Sequence, residues 1–223
     1  MSPARAKNTS NSLSEKTLER YLPLEKREKP IVKVSIAGVG GVGKTSLCQR
    51  AMGKILDDFF ANYKITIGVQ FFTHNVETEI GNVVMSVWDL AGQPQFHQII
   101  DRFLKGSSGI ILAYDSTAID SFFSLYHFWI PLIKQNCDDK IPILLVSTKN
   151  DMVDDKQVTT EFVEGFINSQ TEFNLNIIGY LETSAKSNIN VRETFETLCK
   201  KIVDNEIKQY KNYKKQSRKQ KSN

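Results

Sequence analysis

Cysteine is scarce: Cys48, Cys137 and Cys199 are the only three in 223 residues. They are too few and too scattered for a disulfide framework or a zinc site. Three histidines, His74, His97 and His127, lack the short paired spacing of metal ligands and have no triad partner nearby. No apolar run reaches the ~18 residues of a membrane span, and the polar start has no signal-peptide core. A cytoplasmic compartment is therefore expected. No arginine occurs between Arg50 and Arg102, and no acid follows Lys208. The last absence makes 208–223 a polybasic tail with seven Lys or Arg, leaving 22 bases against 25 acids in the rest. A fraying or disordered end is expected there, suited to weak contact with an anionic membrane surface. Nothing in it is built to read bases, so nucleic acid is not expected as a partner.

The whole chain is 40% apolar, enough for one medium domain with appendages. A polar extension is expected over 1–29, with a short helix near 14–21, and a domain over 30–207. Strand-like segments fall at 31–37, 69–77, 82–89, 109–115, 141–147 and 176–182. Helix-like ones fall at 44–54, 95–105, 119–135, 158–169 and 190–208. The second and third strands flank a short turn, Thr78 to Gly81, and read as a hairpin. GIILAYD and IPILLVS are nearly continuous apolar runs, as central strands covered on both faces require. Val191, Phe195, Leu198, Cys199, Ile202 and Val203 recur at helical spacing and predict a face docked on the sheet. Trp88, Trp129 and the Phe122-Phe123 pair read as core. The fold class is α/β: a doubly wound, six-stranded, mostly parallel sheet with one antiparallel strand and about five helices.

Chemistry concentrates where strands end. After the first strand comes GVGGVGKT: Gly38, Val39, Gly40, Gly41, Val42, Gly43, Lys44 and Thr45. This G-x-x-x-x-G-K-[ST] spacing makes a loop whose amides cradle phosphates, with Lys44 reaching the terminal phosphates and Thr45 holding Mg²⁺. A helix N-terminus behind the loop favours the negative charge. The third strand ends in Asp89, Gly92 and Gln93. Asp89 is placed to hold Mg²⁺ directly or through water, Gly92 to offer an amide to a terminal phosphate, and Gln93 to orient an attacking water. The fifth ends in Thr148-Lys149-Asn150-Asp151. The Asp151 carboxylate matches the N1–H and N2–H₂ of guanine, whereas adenine would leave it unpaired. Lys149 could lie along the base, and Ser184-Ala185-Lys186 after the sixth strand could meet its O6.

GVGGVGKT, TIGVQFF, WDLAGQ, TKND and ETSAK stand in the order and spacing of the Ras superfamily of small GTPases, which the chain resembles over roughly 30–207. The TIGVQFF and 88–117 segments follow a Rab-like pattern. The resemblance implies a P-loop G domain, GTP or GDP with Mg²⁺ as ligands, and a phosphate contact that extends to Ser46. It also implies that Thr66 meets Mg²⁺ in the triphosphate state, that Phe59 packs against the guanine, and that Tyr63 closes over the phosphates. Effectors, an exchange factor and a GTPase-activating protein are the implied partners at the switch loops. A side chain at Gly40 would crowd the γ-phosphate and Gln93.

Three positions depart from the pattern. Thr148 replaces the common Asn, as in Rho-type members, so guanine binding is expected to survive. Ile65 precedes Thr66 where Ras has Pro. Pro94 follows Gln93 where Glu is usual, and proline biases the residue before it away from the helical region. Ras and Rab relatives usually end in prenylated cysteines. Here no cysteine follows Cys199 and Ser2 precludes N-myristoylation, so no lipid anchor is expected. Two readings follow: a GTP-hydrolysing switch, slow without an activating protein, or a guanine-nucleotide-binding module with negligible hydrolysis. A P-loop ATPase leaves TKND and ETSAK unexplained.

Overall fold

The computed structural model describes residues 29–54, 65–168 and 175–220. The N-terminal extension, Phe59 and Tyr63 therefore lie outside the described residues. Six strands form one sheet in the order β2-β3-β1-β4-β5-β6: β1 Ile31–Ala37, β2 Val69–Thr78, β3 Gly81–Leu90, β4 Gly109–Asp115, β5 Ile143–Thr148 and β6 Ile177–Glu182. Only β2 and β3 pair antiparallel; the other four pairings are parallel. The hairpin turn is tight, with Thr78 opposite Gly81 and Gly81 at φ 99°, a left-handed value that glycine adopts without a Cβ clash.

Central strands follow the apolar runs. Every residue of β4 and of β5 is buried, because helices cover both faces. The core is split by the sheet. One side packs Val34, Ile36 and Met85 against Phe195, Leu198 and Ile202; the other packs Leu112 and Leu145 against Ile100, Leu125 and Trp129. Each residue of the apolar stripe expected on the last helix is buried. Trp129 and Phe122 are core, as expected. Phe123 is not: it is exposed. Trp88 is half-buried, in edge contact with Phe71 and in tilted contact with Phe103.

The helices are α1 Lys44–Ala51, α2 His97–Leu104, α3 Ile119–Ser124, α4 Ile130–Asn136, α5 Thr160–Asn168 and α6 Val191–Gln220. Two differ from expectation. The helix expected over 119–135 contains a π-helical stretch, Leu125–Trp129, between α3 and α4. Pro131 supplies the reason: it has no N–H and its ring presses on the preceding turn, so the backbone widens there. The second concerns the tail. Instead of fraying after Lys208, α6 stays helical through Gln220. Its first turns are docked on the sheet, so the cost of nucleation is already met, and Lys and Gln extend a helix readily.

Candidate functional site

Register brings the chemistry together. Ile36 of β1 pairs with Asp89 of β3, and Asp115 of β4 with Thr148 of β5. The segments after β1, β3, β4 and β5 thus emerge side by side at the carboxyl edge, where open α/β sheets bind ligands.

The 38–43 loop has the backbone its glycines permit. Gly41 and Gly43 sit at φ 82° and 94°, and Gly43 caps α1 in the left-handed region. A Cβ on Gly38 would lie 2.1 Å from the Ala113 carbonyl oxygen. Gly92 is as tightly held, because a Cβ there would lie 2.2 Å from Gly38 O. Its carbonyl accepts from Gly40 N–H at 3.1 Å. The phosphate loop and the strand-end loop are therefore in backbone contact.

Inside the loop Lys44 is buried, and its ammonium donates to Gly38 O at 2.7 Å and Val39 O at 2.8 Å. Burial pulls its pKa down to about 8, opposed by the nearby Asp89 carboxylate. Val42 is buried, with its carbonyl accepting from Thr148 Oγ1 at 2.5 Å; the same hydroxyl reaches Tyr114 O at 2.9 Å. Thr148 thus braces the loop against β4, a task its short hydroxyl performs in place of the usual amide. Ser46 follows Thr45 in the first turn of α1 and is half-buried.

Thr45, Thr66 and Asp89 converge. Thr45 Oγ1 lies 2.8 Å from Thr66 Oγ1 and donates to Asp89 Oδ2. Asp89 is fully buried, and its Oδ1 has no hydrogen-bond partner. Burial raises its pKa, against the pull of Lys44 and the two threonine hydroxyls. A buried carboxylate oxygen left over beside two hydroxyls is a hard-oxygen donor set, as Mg²⁺ requires. No cluster of three or more His, Cys, Asp or Glu exists among the described residues. A cation here would complete its shell with hydroxyls, water and phosphate oxygens, which fits Mg²⁺.

Gln93 follows Gly92 as a bend, half-buried, with its Cγ 3.2 Å from the place a Cβ on Gly40 would occupy. Pro94 opens a 3₁₀ turn, Pro94–Phe96. Proline is at home at a helical start, and Gln93 stays outside the turn, as Pro94 suggested.

At the other end of the site, Asp151 Oδ1 accepts from Ser184 Oγ at 2.6 Å, and Lys186 Nζ stands 4.0 Å from Oδ2. Ala185 lies between them in the turn. Ser184 is pinned by reciprocal backbone bonds with Ile189, at 3.1 and 2.9 Å. Lys149 occupies a left-handed conformation at φ 59°, and its ammonium pairs with Asp115. A non-glycine residue in that region carries strain, a mark of functional loops.

Sequence reasoning missed Asp115. It is a buried acid that also caps Thr117 N–H and Oγ1, at 2.9 and 2.8 Å. Its signal was available: an acid at the carboxyl end of a continuous apolar strand, like Asp89. Asn150 was also missed. Its amide donates to Ser147 O, Ser147 Oγ and Thr183 O, tying the two base-side loops together. Nothing in the spacing marks that role.

A phosphate cradle, a Mg²⁺-compatible oxygen set and a strand-end carboxylate on one sheet edge define a P-loop nucleotide-binding class. The Ras family model matches residues 33–204, and the chain belongs to that family of small GTPases. It is 36% identical over 173 residues to the Ras-related protein Rab-13 of Rattus norvegicus, covering 78% of this chain and 80% of that one. It is 37% identical over 174 residues to the GTP-binding protein ypt1 of Schizosaccharomyces pombe, covering 78% and 81%. To the Ypt/Rab-type GTPase Rab7 of Neurospora crassa it is 34% identical over 184 residues, covering 81% and 86%. Membership implies binding of guanine nucleotide and Mg²⁺ in general terms.

Proposed function

We propose that the chain is a Mg²⁺-dependent GTP-hydrolysing switch whose partners bind the loops around Thr66 and Gly92. The observation that carries this is the Thr45–Thr66–Asp89 convergence. It ties the loop before β2 to the phosphate loop through groups suited to one cation. A γ-phosphate and its Mg²⁺ would hold that loop, and hydrolysis would release it. The two switch segments are also coupled by backbone, since Ala91 N–H donates to Gly68 O at 2.9 Å. In this reading Lys44 and the amides of 38–46 hold phosphate, Gly92 senses the terminal one, and Gln93 orients water. Asp151, with Thr148, Lys149, Ser184, Ala185 and Lys186 around it, reads guanine.

Exposed apolar residues lie next to these loops: Ile65, Ile67 and Phe71. Phe71 is in edge contact with Trp88 at 4.7 Å. That surface suits effectors, an exchange factor and a GTPase-activating protein. With no arginine between Arg50 and Arg102, neither switch segment supplies an arginine finger in cis. Such an arginine contributes a factor of about 10³ to 10⁵, so hydrolysis is slow until a partner supplies one. At the far end, Lys208, Lys211, Lys214 and Lys215 of α6 are exposed and fall within roughly a 120° arc of the helix. They suit reversible contact with an anionic membrane at about 1 kcal/mol per base near the lipid.

Single-turnover GTP hydrolysis tests the reading. Wild type should exceed Gln93→Leu by at least about tenfold, while both hold GTP equally. Equal rates would instead favour the nucleotide-binding module without catalysis.

A further inference from the structure

We infer that Asp115 is a positioning residue for nucleotide retention, its carboxylate holding the Lys149 side chain in place before the ligand arrives; this rests on the placement of Lys149 beside the base above. A lysine side chain is long and flexible, and ordering it on binding costs affinity. Here the fold orders it in advance. Asp115 and Thr148 are register partners on adjacent strands, about 4.8 Å apart. Lys149 is the next residue, and its ammonium pairs with Asp115 Oδ2. The lysine stem therefore crosses from the end of β5 to the end of β4, along the sheet edge where the ligand binds.

Both ends of that stem are anchored. The Asp115 side chain is 8% exposed, and its other oxygen, Oδ1, accepts from Thr117 N–H at 2.9 Å and Thr117 Oγ1 at 2.8 Å. The carboxylate cannot turn away without breaking those bonds. At the other end, the Lys149 backbone sits at φ 59° and its carbonyl accepts from Met152 N–H at 2.9 Å. The Lys149 side chain is 39% exposed, so the ion pair by itself adds little to folding. Its effect is on the ligand. The competing view is that Asp115 serves only to cap Thr117. Charge separates the two. Asp115 lines a cavity of about 280 Å³ together with Gly40, Gly41 and Val42 of the phosphate loop, so its negative charge stands near the place of an anionic ligand. As a bare charge it would repel phosphate, and removing it would slow release. As the anchor of Lys149 it does the opposite.

The test is the release rate of a fluorescent GDP from the full-length protein with Mg²⁺, in about 0.15 M salt to screen the bare charge effect. Asp115→Asn keeps an acceptor for Thr117 N–H and removes the anion that holds Lys149. It should speed release roughly twofold to tenfold, the cost of ordering one long side chain on binding. Lys149→Met, which keeps an unbranched stem and loses the ammonium, should also release faster than wild type. In that background Asp115→Asn should give no further acceleration, whereas a purely structural loss would appear in both backgrounds. Unchanged or slower release by Asp115→Asn, with Lys149→Met fast, would overturn the positioning role and leave Lys149 beside the base. So would equal acceleration by Asp115→Asn in the Lys149→Met background. A Lys149→Met release rate equal to wild type would sink the placement of Lys149 and the inference with it.

Discussion

In the proposed function, Asp151 carries the choice of base through one oxygen pair. Its Oδ1 is held by Ser184 and its Oδ2 faces the more distant Lys186 ammonium, so the carboxylate is oriented before any ligand arrives. A site built to pair with N–H donors rejects a ligand lacking them by roughly 10⁴ to 10⁵. Asp151→Asn should therefore lose guanine preference by orders of magnitude and gain xanthine nucleotides, read by competition binding; an unchanged preference for GTP over XTP would remove Asp151 from base recognition. At this scale the sequence was most legible where chemistry demands fixed spacing: Lys44, Thr45, Asp89 and Asp151 all sit at the sheet edge as expected. Asp115 stood in plain view at a strand end, but its pairing with Lys149 was hidden, because only the β4–β5 register brings the two together. Thr148 was legible as a substitution but not as a brace, since its bond to Val42 O spans 106 residues.

Strands were read from sequence to within one or two residues, because a fully buried strand such as β4 advertises itself as an unbroken apolar run. Helix interiors and ends were less legible. The π-helical stretch depends on how Pro131 is accommodated in a packed helix, and the length of α6 depends on its docked beginning. Those are tertiary effects that local composition does not contain. Gln209→Pro tests the second. It should lower far-UV helical ellipticity by about a dozen residues' worth, because proline breaks the ladder, yet leave nucleotide binding intact. The same variant should sediment less with phosphatidylserine-containing vesicles at low salt if a rigid basic face is what binds. An unchanged helical signal would contradict a helix through Gln220.

A second element-scale expectation concerns β2 and α6. The His74 ring packs at 5.4 Å from Phe195. Burial lowers its pKa, opposed by the Glu196 carboxylate and reinforced by Arg192. The folded state therefore binds fewer protons at His74 than the unfolded chain does. Its stabilising contribution is present above an unfolded pKa near 6.5 and is lost as pH falls toward the lower folded value. Denaturant unfolding of His74→Phe should show a shallower loss of stability below pH 6.5 than wild type. Parallel pH profiles would show that His74 is not part of that acid sensitivity.

For the whole molecule, the sheet acts as a rigid frame and the loops at its carboxyl edge as the working parts. The Rab-like relatives match this frame over about four-fifths of their own length. No helix among the described residues is long and apolar enough to cross a membrane. The frame's strands were legible in the sequence; their register and the coupling of the loops were not, because the Gly68–Ala91 and Gly40–Gly92 bonds join segments distant in sequence. Those bonds are where a change at the terminal phosphate would spread to the exposed surface at Ile67 and Phe71. Hydrogen exchange on the Mg²⁺-bound protein, loaded with GDP or with a non-hydrolysable GTP analogue, measures that directly. A switch requires stronger amide protection at 65–68 and 91–96 in the triphosphate state, with β4 and β5 unchanged. Identical protection in the two states would contradict the switch.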